Sequence, residues 1–147
     1  VAAMKAKSLL RSPKIGNSST IKILKGFLEG REQILLVFVF GSFATRRITS
    51  YSDIDIAILF ESLPDVYETN QLRDELTGLL NRDTDVIVLN NASPILRMQV
   101  LKKGVLVFSK ERRYFHQFFV DTVNQYDDLK QIRKNCEDNI LKRRIHA

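Results

Sequence analysis

The stretch Val37–Phe60, VFVFGSFATRRITSYSDIDIAILF, constrains this chain more than any other. An apolar run ends in Gly41-Ser42, ten residues follow, and Asp53 and Asp55 then open a second apolar run. Glycine lets the chain turn sharply out of a strand and lets backbone N–H groups approach an anion closely. Two aspartates two residues apart at a strand start send both side chains to one face. An anion nest beside two convergent carboxylates suits a metal–nucleotide complex, with phosphates on the nest and Mg²⁺ on the carboxylates. The pattern therefore points to nucleotidyl transfer.

The rest of the chain reads as an α/β fold with a mixed β-sheet of about four strands flanked by helices. Residues 1–17 have no sustained period and contain Ser12, Pro13, Gly16 and Asn17, which predicts a loosely packed basic arm. Ser18 or Ser19 is placed to cap a helix with Ile21, Ile23, Leu24, Phe27 and Leu28 along one side, ending near Gly30. Ile34–Phe40 and Ile54–Phe60 are continuous apolar runs of the kind found in strands covered on both faces. Asp65–Asn81 predicts a helix with Val66, Leu72, Leu76, Leu79 and Leu80 inward, and Thr84–Leu89 a third strand opened by Asp85. Pro94 suits a first helical position, Gly104 ends that helix, and Val105–Phe108 forms a short fourth strand.

From Glu111 onward the spacing is helical, with Phe119, Val123, Tyr126, Leu129, Ile132, Cys136 and Ile140 along one seam. A single helix of that length overshoots a core this small. Either Asp127-Asp128 starts a new helix, or the seam projects and docks on another chain. The expected organisation is a basic arm over 1–17, a core domain over 18–110, and a helical segment over 111–147 that packs on the domain or a partner. A chain of 147 residues is one domain able to bury a sizeable core.

Charge is unevenly distributed. Residues 1–50 hold nine Lys/Arg and two Glu, a net of +7, and the remainder nets −1. No aromatic residues interleave with Lys5, Lys7, Arg11 and Lys14, so a solvated arm is favoured over a nucleic-acid surface. The single cysteine, Cys136, permits no internal disulfide, and a reducing cytoplasm is expected. No apolar run is long enough to span a membrane and no signal-peptide pattern is evident. Two histidines and one cysteine assemble neither a Ser-His-Asp arrangement nor a zinc site. His116 reads as an ordinary helix residue, and its spacing from Arg112 and Arg113 is too short for a HEPN-type ribonuclease pattern.

Asp53, Asp55 and Asp85 are the candidate metal ligands. If their strands are neighbours, Asp85 completes a cluster on one sheet face, a liability without a cation and a binding site with one. Asp83 shares the parity of Asp85, but the unbroken run Val86-Ile87-Val88-Leu89 starts directly after Asp85, and Asp83 reads as a turn residue.

Gly41-Ser42, ten residues, Asp53-Ile54-Asp55 and then Asp85-Val86-Ile87-Val88-Leu89 together resemble the minimal nucleotidyltransferase family of the DNA polymerase β superfamily. Ala92-Ser93-Pro94-Ile95-Leu96 through Lys103-Gly104-Val105-Leu106-Val107-Phe108 is similar to the same family's later pattern, so the likeness spans about residues 20–108. The resemblance implies ATP as substrate, two Mg²⁺ ions and transfer of AMP. It makes Asp53 and Asp55 ligands of the nucleotide-bound metal. Asp85 would help hold the second metal and act as, or orient, the base. Gly41 and Ser42 become phosphate-binding residues. Many members are antitoxins that adenylylate a tyrosine of a HEPN ribonuclease toxin, which makes such a toxin the expected partner. Where members commonly carry Arg-Gly after the Gly-Ser, this chain has Thr45-Arg46-Arg47, and Arg46 and Arg47 become candidates for phosphate-facing charge. The competing readings are a small-molecule (antibiotic-type) nucleotidyltransferase, with a homo-oligomer building the pocket between chains, and a non-catalytic module that covers a toxin. A glycosyltransferase using Asp-x-Asp fails on length and on the Gly-Ser partner motif.

Overall fold

A computed structural model describes residues 18–40 and 53–146. The elements are α1 (Ser18–Glu29), β1 (Ile34–Phe40), β2 (Ile54–Phe60), α2 (Val66–Leu80), β3 (Thr84–Val88), a 3₁₀ turn (Leu89–Asn91), α3 (Pro94–Lys103), β4 (Val105–Ser109) and α4 (Arg112–His146). The expected arm over 1–17 lies outside the described residues. No helix among those described is long and apolar enough to cross a membrane.

The four strands form one mixed sheet in the order β3-β2-β1-β4. β1 pairs antiparallel with β2 and with β4, while β2 and β3 run parallel. Both faces are covered, as the continuous apolar runs require. On one face Leu24 and Leu28 of α1 and Leu72 and Leu76 of α2 pack on Ile34, Val37, Val39, Ile54, Ile56 and Ile58. On the other, Val100 and Leu101 of α3 and Phe115, Phe118 and Phe119 of α4 pack on Leu36, Phe38 and Ala57. Ile34 and Val37 share a face despite their odd spacing because the ladder shifts register between Ile34 and Leu36.

Local chemistry sets the boundaries. Asp65 caps α2, its carboxylate accepting from Glu68 N–H at 2.7 Å, and Asn81 closes it in the left-handed region at φ 54°. Ser93 Oγ accepts from Leu96 N–H at 3.2 Å ahead of Pro94, and Gly104 donates its N–H to Val100 O at 2.8 Å. Leu89, expected as the last residue of β3, instead starts the 3₁₀ turn. Asn90 ends that ladder by accepting from Phe60 N–H at 2.9 Å and donating to Phe60 O at 2.8 Å.

Helical expectations need correction at Val66, Leu79 and Ile23. Val66 is 76% exposed and Leu79 is also exposed, so α2 buries Leu72 and Leu76 and not its whole apolar set. Ile23 faces solvent on α1. Of the two alternatives for the C-terminal seam, a new helix at Asp127-Asp128 is not the one observed, since α4 runs unbroken for 35 residues. Cys136, expected on the apolar seam, lies exposed on the outer half of α4.

Candidate active site

β2 enters the sheet through Asp53-Ile54-Asp55, and alternation directs the side chains. Ile54, Ile56, Ile58 and Phe60 pack toward α1 and α2. Asp55 therefore projects from the opposite face, in line with Ala57 and Leu59, which pack toward α3 and α4. β3 runs beside β2 with Asp85 directly opposite Asp55 and Ile87 opposite Ala57. Val86 and Val88 pack against the first cluster and Ile87 against the second, which places Asp85 on the face of Asp55. Asp53 precedes Asp55 by two residues at the mouth of the strand.

Electrostatics register the same convergence. Asp55 is half-buried, while Asp53 and Asp85 are exposed. Burial first, then the charge of Asp85, then that of Asp53, holds the Asp55 carboxyl above its ordinary value of 3.8. Asp83, the rival for the third position, is exposed, and its backbone O accepts from Ile54 N–H at 2.9 Å where β2 begins.

Among the described residues, no group of three or more His, Cys, Asp or Glu stands close enough together to hold a metal ion. The donor set nevertheless fits a hard cation that takes its remaining oxygens from a nucleotide and water. A carboxyl raised by burial first and then by two like charges is short of positive charge, which a divalent cation would supply. Asp53, Asp55 and Asp85 are the residues that would hold such an ion.

The same end of the sheet collects other parts. Phe40, the last residue of β1, pairs with Asp55, so the chain leaves for Gly41 from beside that carboxylate. α3 also finishes here, with Lys102 and Lys103 in its last turn. A Cβ on Gly104 would lie 2.4 Å from Val100 O, so only glycine lets the chain close this tightly on the last turn of α3, and it would stand in ordinary contact, 3.5 Å, with Phe40 Cβ at the end of β1. Gly41, Ser42, Arg46 and Arg47, the residues expected to face phosphate, lie outside the described residues.

Two contributors escaped the sequence reading. Arg82 precedes β3 at this end and carries a buried Nη1 with no hydrogen-bond acceptor among the described residues. Arg97 donates from Nε to Leu89 O at 2.9 Å and from Nη2 to Asn90 O at 3.0 Å, and its guanidinium lies 5.4 Å from the Phe118 ring centroid. It ties the turn after β3 to α3 and α4. The one signal for Arg97 was a cation in the middle of a largely apolar helix. A cavity of about 230 Å³ lined by Arg31, Gln33, Phe60, Glu68 and Glu75 contains none of the expected site residues.

Residues 22–113 match the family model described as Polymerase beta, Nucleotidyltransferase. The chain is 28% identical over 120 residues to the protein adenylyltransferase MntA of Shewanella oneidensis, covering 82% of this chain and 86% of that protein. It superposes with a TM-score of 0.72 on a crystal structure of a toxin–antitoxin with AMP-PNP, at 26% identity over 82% of this chain and 98% of that one. A chain from the structure of tri-AMPylated Shewanella oneidensis HEPN toxin in complex with MNT antitoxin matches with a TM-score of 0.62. The identity there is 25%, over 96% of this chain and 99% of that one.

Proposed function

The chain belongs to the polymerase β nucleotidyltransferase family, and we propose that within it this protein is a Mg²⁺-dependent protein adenylyltransferase. It transfers AMP from ATP to a hydroxyl, a tyrosine of a cognate HEPN ribonuclease toxin, and thereby acts as the antitoxin. The observation that carries this reading is the in-register pair Asp55–Asp85 on one sheet face, with Asp53 close enough to raise Asp55 further. Its likeness to MntA and to an antitoxin crystallised against an AMPylated HEPN toxin supports the choice of acceptor.

In this mechanism Asp53 and Asp55 would hold the nucleotide-bound cation, and Asp85 would help hold a second and act as, or orient, the base that takes the proton of the attacking hydroxyl. Gly41 and Ser42 hold the β- and γ-phosphates by backbone N–H and hydroxyl, with Arg46 and Arg47 adding positive charge. The tyrosine oxygen forms a bond to the α-phosphorus as the bond to the β-phosphate oxygen breaks, and pyrophosphate leaves. Mg²⁺, held by these carboxylates, would supply stabilisation of the charge on the attacking and leaving oxygens. The in-register placing of Asp55 and Asp85 on adjacent parallel strands supports a shared reacting centre.

The test incubates the chain with its cognate HEPN toxin, with and without Mg-ATP, and reads the intact mass of the toxin. The expected result is mass added in AMP units by the parent and none by the Asp53→Asn/Asp55→Asn variant. Full neutralisation of the toxin by that variant would show that occlusion, not catalysis, is the mechanism.

A further inference from the structure

α4 outruns the core it belongs to. Phe115, Phe118, Phe119 and Thr122 are buried against the sheet, but every residue described from Gln131 to Arg143 is exposed. At 1.5 Å per residue the stretch from Gln131 to the helix end at His146 extends roughly 24 Å. It keeps an apolar line all the same, with Ile132 59% and Ile140 54% exposed, and Leu141 exposed as well. Where it leaves the body, a groove of about 260 Å³ forms between α3 and α4, with Ile95 and Leu129 among its lining and Tyr126 at its inner end. Lys130, Arg133 and Lys134 line the same groove, with Glu137 as the carboxylate beside them.

The positive charges of this arm are only partly compensated. Residues 129–143 hold five Lys/Arg and two Asp/Glu, a net of +3. None of the five cations forms an ion pair among the described residues. The Lys130 ammonium lies 5.3 Å and the Lys102 ammonium 5.7 Å from the Tyr126 ring centroid, so even the inner cations lean on an aromatic face, not a carboxylate. Apolar residues interleaved with unpaired cations on a bare helix suit an amphipathic helix whose apolar face is bordered by carboxylates. Pairing two arms of this chain with each other would set the net +3 against itself. The arm also has a counterpart elsewhere: the match to the antitoxin crystallised with its AMPylated HEPN toxin spans 96% of this chain, a share that the body without the arm cannot supply.

We infer that the outer half of α4, together with the Ile95–Tyr126–Leu129 groove, is the docking surface for an acid-bordered amphipathic helix of the cognate HEPN toxin. The inference rests on the adenylyltransferase reading for the identity of the partner. Docking here lies next to the chemistry, because Lys102, which reaches Tyr126, precedes by two residues the Gly104 that packs on Phe40, the ladder partner of Asp55.

The test titrates the purified full chain with its cognate toxin by calorimetry at low and high salt, and follows AMP transfer by intact mass. Two variants are compared with the parent: Lys130→Glu/Arg133→Glu/Lys134→Glu, and Ile132→Ser/Ile140→Ser, all at solvent-facing or groove positions away from the core. Both variants should bind the toxin about tenfold or more weakly. The deficit of the charge variant should shrink at high salt, and KM for the toxin should rise with kcat and Mg-ATP affinity unchanged. Unchanged toxin affinity in both variants overturns the inference. So does a charge variant that adds the first AMP normally but stops there, which would make the groove a track for the AMP chain. Loss of self-association with toxin affinity intact, seen by light scattering, overturns it in favour of a second copy. A parent that binds toxin through the arm yet never transfers AMP refutes the adenylyltransferase reading and leaves the docking surface standing.

Discussion

Replacing Asp55 by asparagine should make the metal-free protein more stable, the reverse of what most half-buried substitutions do. Asp55 and Asp85 face each other across a parallel ladder, where neighbouring strands lie about 4.8 Å apart. Two unit charges at that separation repel by about 0.9 kcal/mol in water and about 3.5 kcal/mol at an effective dielectric of 20. Asp85 is exposed, so the value near water applies. Asp55→Asn should therefore gain about 1 kcal/mol in chelator at pH 7, which for a domain of this size raises the melting midpoint by about 2–4 °C. The sign has a pH signature. A carboxyl raised in the folded state binds its proton more tightly there than in the unfolded chain, so ionised Asp55 destabilises the fold as pH rises through the raised value. The advantage of asparagine is thus full at neutral pH and disappears as pH falls to the ordinary value of 3.8. Mg-ATP reverses the ranking: at about 100 times Kd it adds about 2.7 kcal/mol to the parent and little to the variant. Thermal scans in chelator and in Mg-ATP, each across a pH series, measure all three effects. A variant that melts below the parent in chelator at pH 7 would refute the reasoning and make Asp55 a structural residue.

Further outcomes follow from other contacts. Asp85→Asn should leave the fold intact and lower AMP transfer to the toxin by about a hundredfold or more, read by mass spectrometry under single-turnover conditions. Gly104→Ala places a methyl group 2.4 Å from Val100 O, and urea denaturation should show a loss of about 1–3 kcal/mol. Asp65→Ala removes the side chain that caps α2 and should cost about 1 kcal/mol by the same assay. Arg97→Met removes the side-chain donors of Leu89 O, which keeps Ala92 N–H, and of Asn90 O, at a cost of about 1–3 kcal/mol in thermal or urea unfolding.

The strands were legible because strands buried on both faces are written as uninterrupted apolar runs: Ile34–Phe40 and Ile54–Phe60 begin and end where the runs do. Alternation alone said that Asp53 and Asp55 share a face. It was silent on whether β3 lies beside β2, in which direction it runs and in what register, and those three facts put Asp85 opposite Asp55. Leu89 was misplaced because a buried leucine looks the same in a strand and in a 3₁₀ turn. What ended the strand was the side chain of Asn90 taking both backbone groups of Phe60, a contact across 30 positions of sequence. On α2, periodicity overcounted the inward face because Val66 and Leu79 lie outside the narrow stripe that reaches the sheet. The acidic pair Asp127-Asp128 resembled a helix start, yet helical propagation through a well-anchored segment costs little, and α4 continues through it.

An unbroken helix transmits angle as well as distance. The inner turns of α4 are clamped by Phe115, Phe118 and Phe119, so the bearing of Ile132 and Ile140 is set by how many residues intervene. Removing one residue after Tyr126 would swing the distal face by about 100° and draw it in by about 1.5 Å, whereas removing seven would nearly restore its azimuth about 10 Å nearer the sheet. The segment works as a keyed shaft, and evolution can lengthen or shorten it only in steps close to whole turns.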